Sequence, residues 1–96
     1  VRHDARAWLG ITCYALRDHV VLAGVVPDSP AARAGLEPGD VVVAIDGAQV
    51  QDRRALYERI WRRRSGDPIR LRVFRSNATR DIEIVAGTIE KFFANP

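Results

Sequence analysis

The side chains in this 96-residue chain that could do chemistry are three serines, two histidines and a single cysteine. Hydrolysis by a serine nucleophile needs a serine, a histidine and a carboxylate within mutual reach. Ser29, Ser65 and Ser76 all lie in segments typical of turns or helix caps, and neither a Gly-x-Ser-x-Gly elbow nor a Gly-Asn-Ser-Gly-Gly type segment occurs. We therefore expect no catalytic residues in this chain.

The histidines and the cysteine do not indicate a metal centre. His3, Cys13 and His19 have none of the paired spacings that zinc ligands prefer. No Gly-x-x-x-x-Gly-Lys segment is present that could hold a phosphate group. We expect no metal and no cofactor. We expect Cys13 to be a small buried side chain, because it alternates with other residues in an apolar strand.

Arginine is the most concentrated charged group in the sequence. One predicted helix carries six arginines, with only two acids nearby: Arg53, Arg54, Arg59, Arg62, Arg63 and Arg64. A solvated helix face explains such a cluster, and basic residues near a helix C-terminus also stabilise the helix dipole. An acidic peptide, an anionic lipid or a nucleic acid is the alternative partner. Nucleic acid is the weakest of these, because few exposed aromatic side chains could stack on its bases, and we expect no nucleic-acid partner.

Apolar patterning predicts a mainly β domain around these side chains. Runs of β-branched and aromatic residues predict strands over 8–16 and 20–26, and a continuous apolar run predicts a third over 41–45. Alternation of apolar and charged residues predicts two more strands, over 69–75 and 81–86.

Two helices are expected to pack on these strands. Ser29 can cap a short helix that starts with Pro30 and ends at Gly35. Asp52 can cap a longer helix over 53–64. The longer helix has an apolar stripe at helical spacing, formed by Leu56, Tyr57, Ile60 and Trp61.

These elements predict one domain over residues 1–96 with a core over 8–86. The fold class is α+β and mainly β, a partly open five- to six-stranded β-barrel or sandwich capped by two helices. Residues 88–94 have an amphipathic pattern that would suit a short tail helix. No apolar run approaches the ~20 residues that a membrane span needs. The first four residues do not resemble the start of a signal peptide, so any export signal would lie upstream.

The middle of the chain carries the most specific motif. Val25 to Gly47 reads as an apolar strand, the segment SPAARAGLEPGD, a second apolar strand and an Asp-Gly turn. This stretch closely resembles bacterial PDZ domains, whose pattern is SPA-x-x-AGL-x-PGD between two apolar strands. The resemblance covers roughly residues 8–86. It is greatest to the PDZ domains that follow the protease domain in the HtrA/Deg group of trypsin-like serine proteases.

Two flanking segments extend the resemblance. Trp8-Leu9-Gly10-Ile11 resembles the carboxylate-binding loop of the family, whose core is apolar-Gly-apolar. Gly66-Asp67 and the run over 69–75 resemble its penultimate strand. The resemblance implies a non-catalytic module that holds the carboxyl-terminal peptide of another protein as an added β-strand.

The same resemblance implies where the peptide would bind. The backbone amides of Leu9, Gly10 and Ile11 would bind the terminal carboxylate. Arg53 would read the third-last residue of the peptide and favour an acidic or polar side chain. The terminal side chain would enter an apolar pocket lined by Ile11, Cys13, Tyr57 and Ile60. Replacing Gly10 with a β-branched residue is expected to abolish binding with little loss of fold.

The helix side of this pocket is open to two interpretations. Leu56 and Ile60 could equally well be core residues or pocket residues, and Leu56 is expected to face the core. Trp61 could lie in the core or at the rim. A shift of the helix by one residue would exchange Tyr57 for Leu56 in the pocket.

Two functions fit this reading. The first is the regulatory or substrate-recognition domain of an exported, periplasmic or cell-envelope serine protease, whose catalytic domain lies outside these residues and which could be homo-oligomeric. The second is a scaffold domain of a secretion system or of an intramembrane or tail-specific protease. The opening Trp8-Leu9-Gly10-Ile11 favours the first.

Overall fold

The computed structural model describes residues 6–88. These residues form β1 (Ile11–Leu16), β2 (His19–Val25), α1 (Pro30–Ala34), β3 (Val41–Ile45), β4 (Ala48–Gln49), α2 (Arg53–Trp61), β5 (Pro68–Arg75) and β6 (Ala78–Val85). The strands form one antiparallel sheet in the order β1-β2-β3-β5-β6, with the short β4 paired to β3. The predicted mainly β fold with two helices is confirmed.

Local side-chain chemistry begins both helices and ends the first one as predicted. The Ser29 hydroxyl accepts a hydrogen bond from the Ala32 amide at 3.2 Å, which caps α1. Gly35 follows α1 in the left-handed conformation, with φ of 97°. Asp52 caps α2, since its Oδ1 accepts from the Ala55 amide at 2.8 Å.

The predicted end of the second helix was wrong. α2 ends at Trp61, whereas the sequence pattern predicted helix as far as residue 64. The Arg63 amide bonds to the Ile60 carbonyl at 3.0 Å, which tightens the chain into a turn. The Arg64 amide donates to Oδ2 of Asp67 at 2.8 Å. The arginines after the helix are therefore held by a turn that the apolar stripe does not reveal.

The predicted start of the first strand was also wrong. β1 begins at Ile11, and the three residues before it follow a different path. Trp8 pairs with Gly87, through hydrogen bonds of 2.8 Å from the Trp8 amide and 3.1 Å from the Gly87 amide. Leu9 and Gly10 then form a loop. The predicted tail helix over 88–94 lies outside the described residues apart from Thr88.

The core is formed by the inner faces of the strands together with α2. Along β5 the predicted alternation is confirmed, because Ile69, Leu71 and Val73 are fully buried while the arginines between them are exposed. From α2, Leu56 and Ile60 join this core. Neither helix within residues 6–88 has the length and apolar character to cross a membrane.

Candidate functional site

β1 lies at one of the two edges of the sheet and β6 at the other, so the outer side of β1 is an open edge within residues 6–88. Within residues 6–88, β1 pairs with β2 alone. Ile11 lies opposite Val25, and the flanking hydrogen bond runs from the Val26 amide to the Gly10 carbonyl at 2.8 Å. This pattern makes Ile11 and Val25 a non-hydrogen-bonded pair, so the N–H and C=O of Ile11 point away from β2. The first residue of β1 thus presents both of its backbone groups to the open edge.

The loop before β1 has its carbonyl groups bonded to the domain. The Leu9 carbonyl accepts from the Ala31 amide at 2.9 Å, and the Gly10 carbonyl accepts from the Val26 amide. In the described part of the chain, the amides of Leu9 and Gly10 donate to no backbone carbonyl. Both residues are buried, and an unpaired N–H in such a place costs free energy. The loop therefore leaves two donors for an external acceptor.

Gly10 has a structural reason to be glycine. Its φ is +84°, in the left-handed region that other residues rarely adopt. A Cβ added there would lie 2.3 Å from Cβ of Ser29 and 2.6 Å from its Oγ. Ser29 is fully buried and caps α1. The expectation that a β-branched residue at Gly10 would leave the fold intact was therefore wrong, because the loop packs directly on the helix cap.

One helix side chain reaches β1. The Tyr57 hydroxyl donates a hydrogen bond of 3.4 Å to the Ile11 carbonyl and also contacts the Cys13 thiol. The Tyr57 ring stacks on Trp61, with ring centroids 5.6 Å apart and planes inclined by 27°. Trp61 is half exposed, which places it at the rim of the site. Sequence analysis placed Tyr57 near Ile11 and Cys13 and four positions before Trp61, but it did not predict the hydrogen bond to the Ile11 carbonyl.

Burial governs the acidity of the two groups that meet here. Burial raises the pKa of Tyr57 to about 12, and its contact with Cys13 adds to the effect. Burial also raises the pKa of the Cys13 thiol, although the Tyr57 hydrogen bond and the Arg53 charge oppose the rise. Both groups are therefore neutral near pH 7, and Cys13 is buried as expected.

The other predicted site residues are divided between surface and core. Arg53 is exposed at the start of α2, and its charge acts on both Cys13 and Tyr57. Ile60 is 3% exposed and belongs to the core. A cleft of about 390 Å³ on the outer side of α2 adjoins Tyr57, and it is lined by Arg53, Arg54, Tyr57, Glu58 and Trp61.

The arginines of the α2 region do not act as one group. Arg54 pairs with Glu58 at 3.2 Å. Arg63 pairs with Asp46 and Asp67 and also donates to the Pro68 carbonyl. Among residues 6–88, no group of three or more His, Cys, Asp or Glu side chains is arranged to hold a metal ion.

Comparison with known proteins identifies this arrangement. The profile of one family, described as PDZ domain, matches residues 7–85. A probable periplasmic serine endoprotease of the DegP-like type from Halomonas elongata is 32% identical over 95 residues, which cover 86% of this chain and 20% of that protein. A putative zinc metalloprotease from Brucella suis is 38% identical over 71 residues, which cover 74% of this chain and 18% of that protein.

A solved structure agrees with this similarity. The HtrA-type protease AlgW with a decapeptide superposes with a TM-score of 0.81 at 34% identity, over 86% of this chain and 29% of that one. The predicted resemblance to PDZ domains of HtrA/Deg-type serine proteases is thereby confirmed. The chain spans about a fifth of the length of the two curated relatives described above.

Proposed function

Because this chain belongs to the PDZ domain family, we propose that it binds the carboxyl-terminal tail of another protein as an additional strand along β1. The domain itself carries out no catalysis and acts by binding.

The hydrogen bonding of the loop before β1 is the observation that carries this proposal. The carbonyls of Leu9 and Gly10 are bonded back to the domain, while their amides have no backbone partner within residues 6–88. The N–H of Ile11 points away from β2, toward the open edge of β1. Three backbone donors at the mouth of one strand can bind an anion without a counter-charge, and a charged acceptor strengthens each bond. The terminal carboxylate of a peptide is such an acceptor.

The side chains around this loop suit a small apolar terminal residue. Ile11 and Cys13 lie on one face of β1 by the alternation of a strand. Tyr57 reaches across to them from α2, and Ile60 lies beneath in the core. Because the Tyr57 ring fills part of this space, valine or alanine would fit the pocket better than a larger side chain.

Arg53 gives the proposal its second element of selectivity. It lies at the start of α2, near enough to Cys13 for its charge to lower the pKa of that thiol. A peptide running along β1 would carry its third-last side chain past this end of α2. An acidic or polar side chain there would be attracted by the guanidinium.

Peptides with a free carboxyl end test the carboxylate site directly. We expect a decapeptide that ends in valine, with glutamate third from the end, to bind the domain. The same peptide made as its carboxyl-terminal amide should bind at least tenfold more weakly, since a charged acceptor is lost. Equal affinity for the acid and the amide would remove carboxylate recognition from the proposal.

For the parent protein we propose an exported serine endopeptidase, with its catalytic domain outside these residues and with this domain tethering substrate or regulating activity. The DegP-like relative, named as periplasmic, supports this assignment and a periplasmic location. Coupling to activity would require the peptide to favour one arrangement of the domains over another. A trypsin-like domain encoded upstream of Val1 would support the assignment, and its absence would count against it.

One observation favours a second candidate. The relative named a putative zinc metalloprotease is as similar to this chain as the serine endoproteases are. The domain could thus serve as a protein-interaction module beside a metalloprotease. A zinc-binding His-Glu-x-x-His segment in the flanking sequence would select this candidate over the first.

A further inference from the structure

Tyr57 and Ile11 make a contact that bears on how the proposed site opens. The Ile11 carbonyl points to the open edge of β1. The Tyr57 hydroxyl already donates to this oxygen, at 3.4 Å. An outward-facing acceptor of the edge strand is therefore occupied by a side chain of α2.

An added strand would need the same oxygen. Neighbouring strands lie about 4.8 Å apart and exchange bonds through the N–H and C=O groups that face each other. An amide near the end of the peptide would donate to the Ile11 carbonyl. The Tyr57 hydroxyl spans from α2 to this oxygen and so lies in the space that the incoming strand would fill.

We propose that Tyr57 is a latch, which holds the peptide groove closed until an incoming carboxyl-terminal strand displaces its hydroxyl from the Ile11 carbonyl. This inference rests on the proposed function, because it assigns a regulatory contact to the same groove. The measured affinity of the domain equals its intrinsic affinity multiplied by the fraction of molecules in which the latch is open.

The contacts of Tyr57 suit a latch that can open. A hydrogen bond of 3.4 Å is well beyond the ~2.7–2.8 Å that hydroxyl donors prefer, so it is weak. The ring is only partly buried, and it is steadied from the solvent side by the stack on Trp61. Its other neighbour, the Cys13 thiol, is a weak hydrogen-bonding group. The side chain is therefore positioned over the groove without being fixed in the core.

The variant Tyr57→Phe tests the latch, because it keeps the ring and the stack and removes only the hydroxyl. The probe is the free-acid decapeptide ending in valine, with glutamate third from the end, and its amide serves as the reference. We expect Tyr57→Phe to bind the free acid about two- to threefold more tightly than the unmodified domain does, the fold-change expected when one weak competing hydrogen bond is removed. Tyr14→Phe is the matched control, because Tyr14 is exposed on β1 and makes no such contact within residues 6–88.

A second measurement examines the closed state without peptide. Cys13 is the only cysteine in the chain, and it lies beside the Tyr57 hydroxyl. A thiol reagent therefore reports on access to this position. Removing the hydroxyl also removes a hydrogen bond that lowers the pKa of Cys13, so each rate is divided by the thiolate fraction measured for that variant. The corrected rate of modification should be several-fold higher in Tyr57→Phe than in the unmodified domain or in Tyr14→Phe, at equal stability. An unchanged corrected rate would overturn the proposal that Tyr57 holds the groove closed.

The outcomes separate the latch from the function on which it rests. Binding of the free acid by the unmodified domain, with equal or weaker binding by Tyr57→Phe, overturns the latch alone. If neither form binds the free acid more tightly than the amide, carboxylate recognition fails and the latch fails with it. Tighter binding by Tyr57→Phe together with faster Cys13 modification supports both.

Discussion

The Arg75 guanidinium forms a bidentate ion pair with the Asp40 carboxylate, in which Nε donates to Oδ1 at 2.7 Å and Nη2 donates to Oδ2 at 2.6 Å. Asp40 is buried and also accepts from the Glu37 amide at 3.0 Å. The same Nη2 of Arg75 donates to the Gly35 carbonyl at 2.8 Å. One side chain of β5 thus holds the Pro-Gly-Asp turn and the end of α1 in place.

Replacing Asp40 should therefore destabilise the domain. We expect Asp40→Asn to lower the free energy of unfolding by about 1.5–3 kcal/mol, because the hydrogen bonds of Arg75 would lose their charged acceptor. Urea unfolding measures this change. Asp81→Asn is the control, since it breaks the exposed pair of Arg72 with Asp81 and should leave stability nearly unchanged. Similar losses in both variants would contradict the special role of the buried pair.

The packing of Gly10 predicts a loss of stability as well as of binding. Gly10→Ala would have to place its Cβ in contact with Ser29 while keeping a positive φ. Gly39→Ala shares the strain, with φ of +94°, but its Cβ would meet no atom within 4 Å. We expect Gly39→Ala to cost about 1–2 kcal/mol for the left-handed backbone, and Gly10→Ala to cost clearly more. Thermal unfolding measures the stability lost in each variant. Equal losses in Gly10→Ala and Gly39→Ala would show that Ser29 does not constrain the loop.

The ionisation of Tyr57 gives the domain a dependence on alkaline pH. The pKa of Tyr57 in the folded domain is about 12, above the ~10 of a tyrosine in the unfolded chain. Folding therefore favours the neutral phenol. This contribution to stability is complete below about pH 10 and is lost as the pH rises through about 12.

Phenolate absorbance can follow that ionisation directly. The difference between the titrations of the unmodified domain and of Tyr57→Phe isolates Tyr57, and we expect its midpoint near 12. A midpoint near 10 would mean that the hydroxyl is solvated and does not lie between Ile11 and Cys13.

Arg53 should control selectivity at the third-last peptide residue. Arg53→Ala is expected to reduce the preference for glutamate over glutamine at that position by a factor of a few, as exposed ion pairs allow. Raising the salt concentration should have the same effect on the unmodified domain. Arg59→Ala, which removes a charge elsewhere on the surface of α2, is the matched control. Isothermal titration of each variant with the glutamate and glutamine peptides measures this preference. If Arg53→Ala and Arg59→Ala lose it equally, the arginines attract acidic peptides only through their general positive charge.

The sequence predicted those parts of the fold that depend on local chemistry. The predicted caps are confirmed, with Ser29 and Asp52 at helix starts and Gly35 at a helix end. A cap depends only on the residue itself and on backbone groups a few positions away. The bounds of β3 also agree, since turn residues flank its continuous apolar run on both sides. The end of α2 was misplaced because Arg63 contacts Asp46, a residue that is distant in sequence.

The candidate site was predictable only in outline. The motif around Gly10 indicated a loop that could bind an anion, but not that the loop packs on Ser29. Helical spacing brought Tyr57 and Ile60 to one side of α2, yet Ile60 is buried while Tyr57 reaches β1. Periodicity gives the face of a helix, and the depth of each side chain depends on how closely the neighbouring strand approaches.

The bridge between Trp8 and Gly87 brings the entry and the exit of the described chain side by side, two residues from Gly10. A second bridge joins Arg6 to Arg64, in the turn after α2. Force applied at residue 6 or residue 88 would therefore load these two bridges before it reached the paired strands of the sheet. Torsion at either point would act on the same bridges and would tilt the loop formed by Leu9 and Gly10. The two ends of the described residues and the loop before β1 are thus mechanically coupled.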